Sequence, residues 1–267
     1  MASLLKIAFE VEILGRGSRF GGDFMGLDRF YCPRFEVGQT ASLEGDEARH
    51  LARVRRVAVG AEVELFDGRG LAATAEVAQV GRDRVELRVG GAVAGPPLAP
   101  LRLTLASAIP KGDRFDWLVE KATELGVDRI VPLITERSSV DPRSAKLDRL
   151  RRAIIETSKQ CRRNVLMTLE EPRHWEEWAS SLDPSTRHCW IAHPGGSSAW
   201  TDTALKRDDQ VAVAIGPEGG FSERELAMSL GFGWEPIDLT PTLLRVETAA
   251  LAVSAQLLLR ANRPLPV

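Results

Sequence analysis

A chain of 267 residues, 44% of them hydrophobic, has material for one large core or two ordinary ones. A net charge of −2 excludes a general polyanion binder, so any nucleic-acid footprint must be local. Three scattered cysteines (Cys32, Cys161 and Cys189) exclude a disulfide scaffold or a zinc knuckle and suit a reducing cytoplasm.

Residues 1–24 carry Gly15-Arg16-Gly17-Ser18-Arg19 without a following helix and are expected to be a flexible extension, with Met25 a candidate natural start. Glu10 and Glu12 break the apolar stretch, so a secretory signal is not expected there, and no run is long enough to span a membrane. From Arg29 to about Val93 the pattern is β-rich. Glu62–Phe66, Ala72–Val80 and Arg84–Val89 alternate between glycine turns, around one short helix over Asp46–Val57 with Asp46 as its cap. These features predict a small barrel over 25–95. The run from Gly90 to Pro100 is rich in glycine and proline, reads as a linker, and opens a second domain over 98–267.

Beyond it the period changes. Leu101–Ala106 predicts a strand and Asp113–Leu125 a helix, with Phe115, Leu118, Val119, Ala122 and Leu125 on one face and Gly126 as its stop. Arg129–Ile134, Arg187–Ala192, Val211–Ile215 and Ile237–Leu239 predict strands. Ser144–Cys161, Ser222–Leu230 and Glu247–Ala261 predict helices. Alternating strand and helix means a mostly parallel α/β sheet.

Chemistry should sit where such strands end. Gly216-Pro217-Glu218-Gly219-Gly220-Phe221-Ser222 follows an apolar strand and leads into a capping box, and its glycines allow close approach of backbone to a ligand. It matches neither the P-loop nor the GxGxxG spacing. A second junction runs Leu239-Thr240-Pro241-Thr242-Leu243-Leu244-Arg245-Val246-Glu247, where Arg245 and Glu247 read alternatively as a surface pair. Basic residues cluster between Arg137 and Arg163 and again at Arg49, Arg53, Arg55 and Arg56. Each cluster alone reads as a solvated face, and two on two domains favour RNA. The histidines have no metal-binding spacing, so no metal is expected.

In order and spacing, these segments resemble the bacterial family that methylates N3 of a uridine in 16S ribosomal RNA, a branch of the SPOUT methyltransferases. The resemblance runs through Arg29-Phe30-Tyr31, His50–Arg56, Leu65–Gly68, Lys111-Gly112-Asp113-Arg114, Glu120–Val127, Pro132, Glu136-Arg137-Ser138, Gly216–Ser222 and Leu244–Ala249. It implies a PUA-like barrel followed by a SPOUT α/β domain with a trefoil knot. It also implies a cytoplasmic homodimer acting on 16S rRNA in the small subunit, and S-adenosylmethionine as cofactor. The cofactor would lie on His193, Pro194, Ile215, Gly216, Glu218, Gly219, Gly220, Leu239, Pro241 and Leu244. Arg245, Glu218 and Glu247 are the catalytic candidates. Arg49, Arg53, Arg56, Lys111, Arg137, Arg162 and Arg163 are the RNA-binding candidates. Two places depart from the family pattern: Thr240 and Thr242 replace a glycine and an arginine, and Arg162 replaces a glycine. Thr240 and Thr242 leave open a non-catalytic ribosome-assembly factor, and the sequence discriminates poorly against a methyltransferase of the same fold for another RNA site.

Overall fold

A computed structural model describes residues 26–94, 101–140, 144–185 and 187–261. The expected extension at 1–24 and most of the linker lie outside them. The first unit is a five-stranded sheet. Its strands are β1 (Arg29–Tyr31), β2 (Thr40–Glu44), β3 (Glu62–Phe66), β4 (Ala72–Val80) and β5 (Arg84–Ala92), in the order β1-β3-β4-β5-β2. Alternate residues point inward, so Val63, Leu65, Ala73, Ala75, Val77, Val85 and Leu87 close one apolar core with Phe30 and Leu51. Gly90, Gly91 and Ala92 extend β5 and are not linker, because Val93 N–H still pairs with Ala72 O at 2.8 Å.

The expected helix over Asp46–Val57 is two pieces. The helix α1 (Gly45–Arg49) starts after Glu44, and a π-helical turn over His50–Arg55 follows. Asp46 lies inside the first turn and caps nothing; its carboxylate pairs with Arg49. The π turn ends at Arg56, which takes a left-handed φ of 53°.

The second unit is a parallel sheet covered on both faces. Its strands are β6 (Arg102–Ala108), β7 (Arg129–Ile134), β8 (Thr168–Leu169), β9 (Arg173–His174), β10 (His188–Ser197), β11 (Gln210–Ile215) and β12 (Glu235–Ile237). The order is β12-β10-β11-β6-β7-β8, with β9 also on β7. The helices are α2 (Arg114–Leu125), α3 (Ser144–Gln160), α4 (Trp175–Ser181), α5 (Glu223–Gly231) and α6 (Val246–Ala261). Successive strand residues divide between the faces. Leu103, Leu105, Val211, Val213 and Ile215 pack with residues of α2, α3 and α6, whereas Ala106, Ala212 and Ala214 pack with Trp175, Trp178, Phe221 and Trp234. Truncating one of the buried leucines, such as Leu105, costs about 2–5 kcal/mol.

Leu125 falls off the expected apolar stripe of α2: it is exposed, while Phe115, Leu118, Val119 and Ala122 are buried. Gly126 ends the helix at φ 98° as expected, but Asp113 makes no side-chain cap. β10 runs on to Ser197 because its far end pairs with Ile237, past an irregularity after Ala192.

The two sheets are joined by polar contacts. Arg29 sits among Glu64, Ser158 O (3.0 Å), Arg163 O (3.3 Å) and Asn164, and its guanidinium lies 4.3 Å above the Phe66 ring. Its Nε is 2.8 Å from Glu64 Oε1 but poorly aligned, so the contact is an ion pair without a hydrogen bond. Burial lowers the Arg29 pKa, and Glu64 opposes that shift. Leu166 N–H and Gly70 N–H complete the seam by donating to Gly68 O and Asn164 O.

Candidate cofactor pocket and active site

Three chain segments, the second half of β10 and the segments that follow β11 and β12, converge around a cavity of about 530 Å³, within the usual range for a small-molecule site. From β10, just past its irregularity at Ala192, come His193 and Pro194. From the end of β11 come Ile215, Gly216, Glu218, Gly219 and Gly220. From the segment after β12 come Leu239, Pro241 and Leu244. The structure thus brings together every residue expected at the cofactor.

Each segment is held by its own chemistry. After β11 the Ser222 hydroxyl accepts from Glu225 N–H at 3.1 Å while Glu225 Oε2 accepts from Ser222 N–H at 2.8 Å, which fixes the loop's exit into α5. A side chain at Gly216 would meet the Phe221 ring at 3.0 Å, and that ring is buried against Trp175. Gly220 turns at φ +67°. Arg137 donates to Gly219 O at 2.7 Å and also borders the cavity, so it serves the pocket wall.

The segment after β12 is tied to the end of β10. Asp238 N–H donates to Ser197 O, Gly195 N–H donates to Asp238 Oδ2, and Trp200 Nε1 donates to Asp238 O. Gly196 is pressed against this strand so closely that a Cβ would lie 2.6 Å from the Ile237 carbonyl carbon. Thr240, which stands where the family has glycine, does not take a left-handed φ. Its hydroxyl accepts from Thr242 N–H at 3.2 Å and lies 3.1 Å from the Thr242 hydroxyl, so the two departures form one local turn.

The catalytic candidates separate. Glu218 borders the cavity and is partly exposed. Glu247 is buried in the first turn of α6 and pairs with Arg114, not with Arg245. Arg245 is exposed at the entry to α6 and makes no ion pair among the described residues. Arg114 was present in the motif Lys111-Gly112-Asp113-Arg114 but carried no signal of its own, because its partners are over a hundred residues away. Asp238 was also missed, because the strand expected over Ile237–Leu239 enclosed it, whereas β12 ends at Ile237 and leaves Asp238 one residue past the strand end.

The basic candidates also divide. Arg53, Arg56 and Lys111 are exposed, and Arg49 is exposed but paired with Asp46. Arg162 pairs with Glu64 of the first sheet while its side chain stays 44% exposed, and Arg163 turns inward to donate to Thr123 O on α2 at 3.1 Å, so Arg163 is not on an open face. Arg143 is outside the described residues. Glu47, His50 and Glu156 approach closely enough to hold a cation, but the Lys159 ammonium already lies among them, 2.8 Å from Glu47 and 2.7 Å from Glu156. Burial pushes the Cys189 thiol up to about 11, which leaves it protonated and unreactive.

A covered parallel sheet with a glycine-lined pocket at its strand ends, joined to a small β unit, defines a two-part enzyme of nucleotide-like ligands. Comparison narrows the class. The family described as RNA methyltransferase domain matches residues 97–258, and RNA methyltransferase PUA domain matches 43–90. Ribosomal RNA small subunit methyltransferase E of Mycobacterium bovis is 31% identical over 80% of this chain and 84% of its own. A Legionella pneumophila methyltransferase solved with bound SAM has a TM-score of 0.81 at 33% identity, covering 89% of this chain and 98% of that one. The Neisseria gonorrhoeae ribosomal RNA small subunit methyltransferase E, bound to S-adenosyl methionine, gives 0.79 at 31%, covering 86% and 96%. The chain belongs to this family of PUA-containing RNA methyltransferases.

Proposed function

We propose that the chain methylates N3 of a uridine in 16S ribosomal RNA of the small subunit, using S-adenosylmethionine. The carrying observation is the single pocket made from three strand-end segments, with Glu218 on its wall and Glu247 tied to the same arginine. The pocket fits this cofactor: Gly195, Gly216, Gly219 and Gly220 line it beside apolar Ile215, Leu239 and Leu244, and a Cβ at Gly216 would intrude on the packed Phe221 ring. When bound, the cofactor supplies an electrophilic methyl group.

The chain's residues orient the uracil and remove its proton. Uracil N3 carries that proton on the pairing edge, so the base must be unpaired or flipped. Glu218 or Glu247 accepts the proton as the N3–methyl bond forms and the sulfur–methyl bond breaks. Arg245, which makes no ion pair among the described residues, stabilises the negative charge that develops on the uracil oxygens. Exposed Arg53, Arg56 and Lys111 contact phosphates.

We also read the chain as divided near 95–98, with a knot formed where 235–244 threads against 192–200, and as a cytoplasmic homodimer. The close packing of Gly196 on Ile237 and the ties to Asp238 support the knot. Leu243, 86% exposed on the pocket rim, supports a covering subunit. No described helix is long and apolar enough to cross a membrane. Calorimetric titration with S-adenosylmethionine tests the cofactor assignment: micromolar one-site binding that Gly216→Val abolishes is expected, and equal binding by the variant would place the cofactor elsewhere.

A further inference from the structure

Arg114, at the start of α2, holds two carboxylates that arrive from different segments. Its Nε donates to Lys111 O at 3.0 Å, which sets the plane of the guanidinium. One arm of the fork lies 3.4 Å from Glu218 Oε1, on the segment after β11. The other lies 3.5 Å from Glu247 Oε1, in the first turn of α6. Both contacts are longer than a tight charge-assisted hydrogen bond, so the clamp is open, as catalytic contacts often are before ligands bind.

The two carboxylates differ in what their second oxygens face. Glu218 is 43% exposed, so water serves it. Glu247 is only 8% exposed, and its Oε2 is buried with no hydrogen-bond partner among the described residues. Buried polar atoms in folded proteins are nearly always paired. With its companion oxygen already paired with an arginine, Oε2 is a buried acceptor that lacks a donor among the described residues. Val246 and Ala249, its neighbours on α6, border the cavity itself.

Resting on the methyltransferase reading above, we propose that Arg114 is the positioning residue of the reaction, and that Glu247, not Glu218, receives the uracil N3 proton. Arg114 fixes Glu247 through Oε1 and leaves Oε2 for the substrate's N–H. Its second arm ties that carboxylate to the cofactor-side segment through Glu218, so that base and pocket move as one. The proton passes from N3 to Glu247 Oε2 as the methyl group joins N3, and Arg114 balances the charge of the carboxylate before transfer.

The test is a double-mutant cycle read in kcat, KM for small subunits and cofactor affinity, on Arg114→Ala, Glu247→Gln and their combination. Arg114→Ala should lower kcat by about 100-fold, within the span of a lost acid–base contribution, with cofactor affinity changed less than about 3-fold. In the Glu247→Gln background the same substitution should cost almost nothing further, because a residue that acts through Glu247 has nothing left to position. Arg114→Lys keeps a charge without the fork, should recover about 10-fold of the loss, and carries the same test if the alanine variant does not fold. Multiplicative losses in the double variant, or full kcat in Arg114→Ala, overturn the proposal while leaving the methyltransferase reading intact. A wild-type chain that transfers no methyl group overturns both.

Discussion

Glu64→Gln is the sharpest probe of how the two sheets are joined. It keeps the shape of a side chain that is 7% exposed, but it removes the charge facing Arg29, itself only 3% exposed, and the charge facing Arg162. Breaking a buried pair by neutralising one partner strands the other, at about 3–5 kcal/mol. Arg29 keeps Ser158 O, Arg163 O and Asn164, so the lower end applies, about 3 kcal/mol. For a protein of this size that is a fall in Tm of about 6–12 °C. Differential scanning calorimetry should show it, with the β unit melting ahead of the parallel sheet as a separate transition. Removing both charges in Glu64→Gln with Arg29→Met should recover much of the loss, because no buried charge is then stranded. A single transition lowered by less than about 1 °C in Glu64→Gln would refute the reasoning, since a buried charge left alone cannot be that cheap.

Other outcomes follow from individual contacts. Gly196→Ala places a methyl group 2.6 Å from the Ile237 backbone, so it should weaken cofactor binding by at least about 10-fold and lower the melting temperature; equilibrium titration and thermal melts check both. Ser222→Ala removes half of the capping box on α5 and should cost about 1 kcal/mol, seen as a Tm lower by about 2–4 °C. Burial raises the thiols of Cys189, to about 11, and Cys32, whereas Cys161 is partly exposed. Near pH 8 an alkylating reagent should therefore modify Cys161 first and reach the other two only on unfolding, which peptide mass mapping reads directly.

The sequence announced most of the sheet and pocket because strand and helix periods are local. The β11 strand, the loop after it and the Ser222–Glu225 cap are contiguous, so their geometry was legible residue by residue. The extension of β10 to Ser197 was not, because it depends on a partner at Ile237 forty residues later. Arg162 and Arg163 looked like a phosphate-binding face. Only the folded chain shows that Glu64 on the first sheet pairs with Arg162 and that Thr123 O on α2 accepts from Arg163. Thr240 and Thr242 looked like losses, because the hydroxyl that organises their turn acts between residues and not at either position alone. Arg114 is the clearest case of hidden chemistry: its meaning lies in where Glu218 and Glu247 arrive after the chain has folded.

The central claim is tested most directly by incubating the protein with labelled S-adenosylmethionine and small ribosomal subunits that lack the N3 mark, then identifying the product nucleoside by mass spectrometry. The account expects labelled N3-methyluridine at one site, with none from subunits already modified there. A labelled nucleoside of any other kind, or bound cofactor with no transfer to RNA, would contradict it.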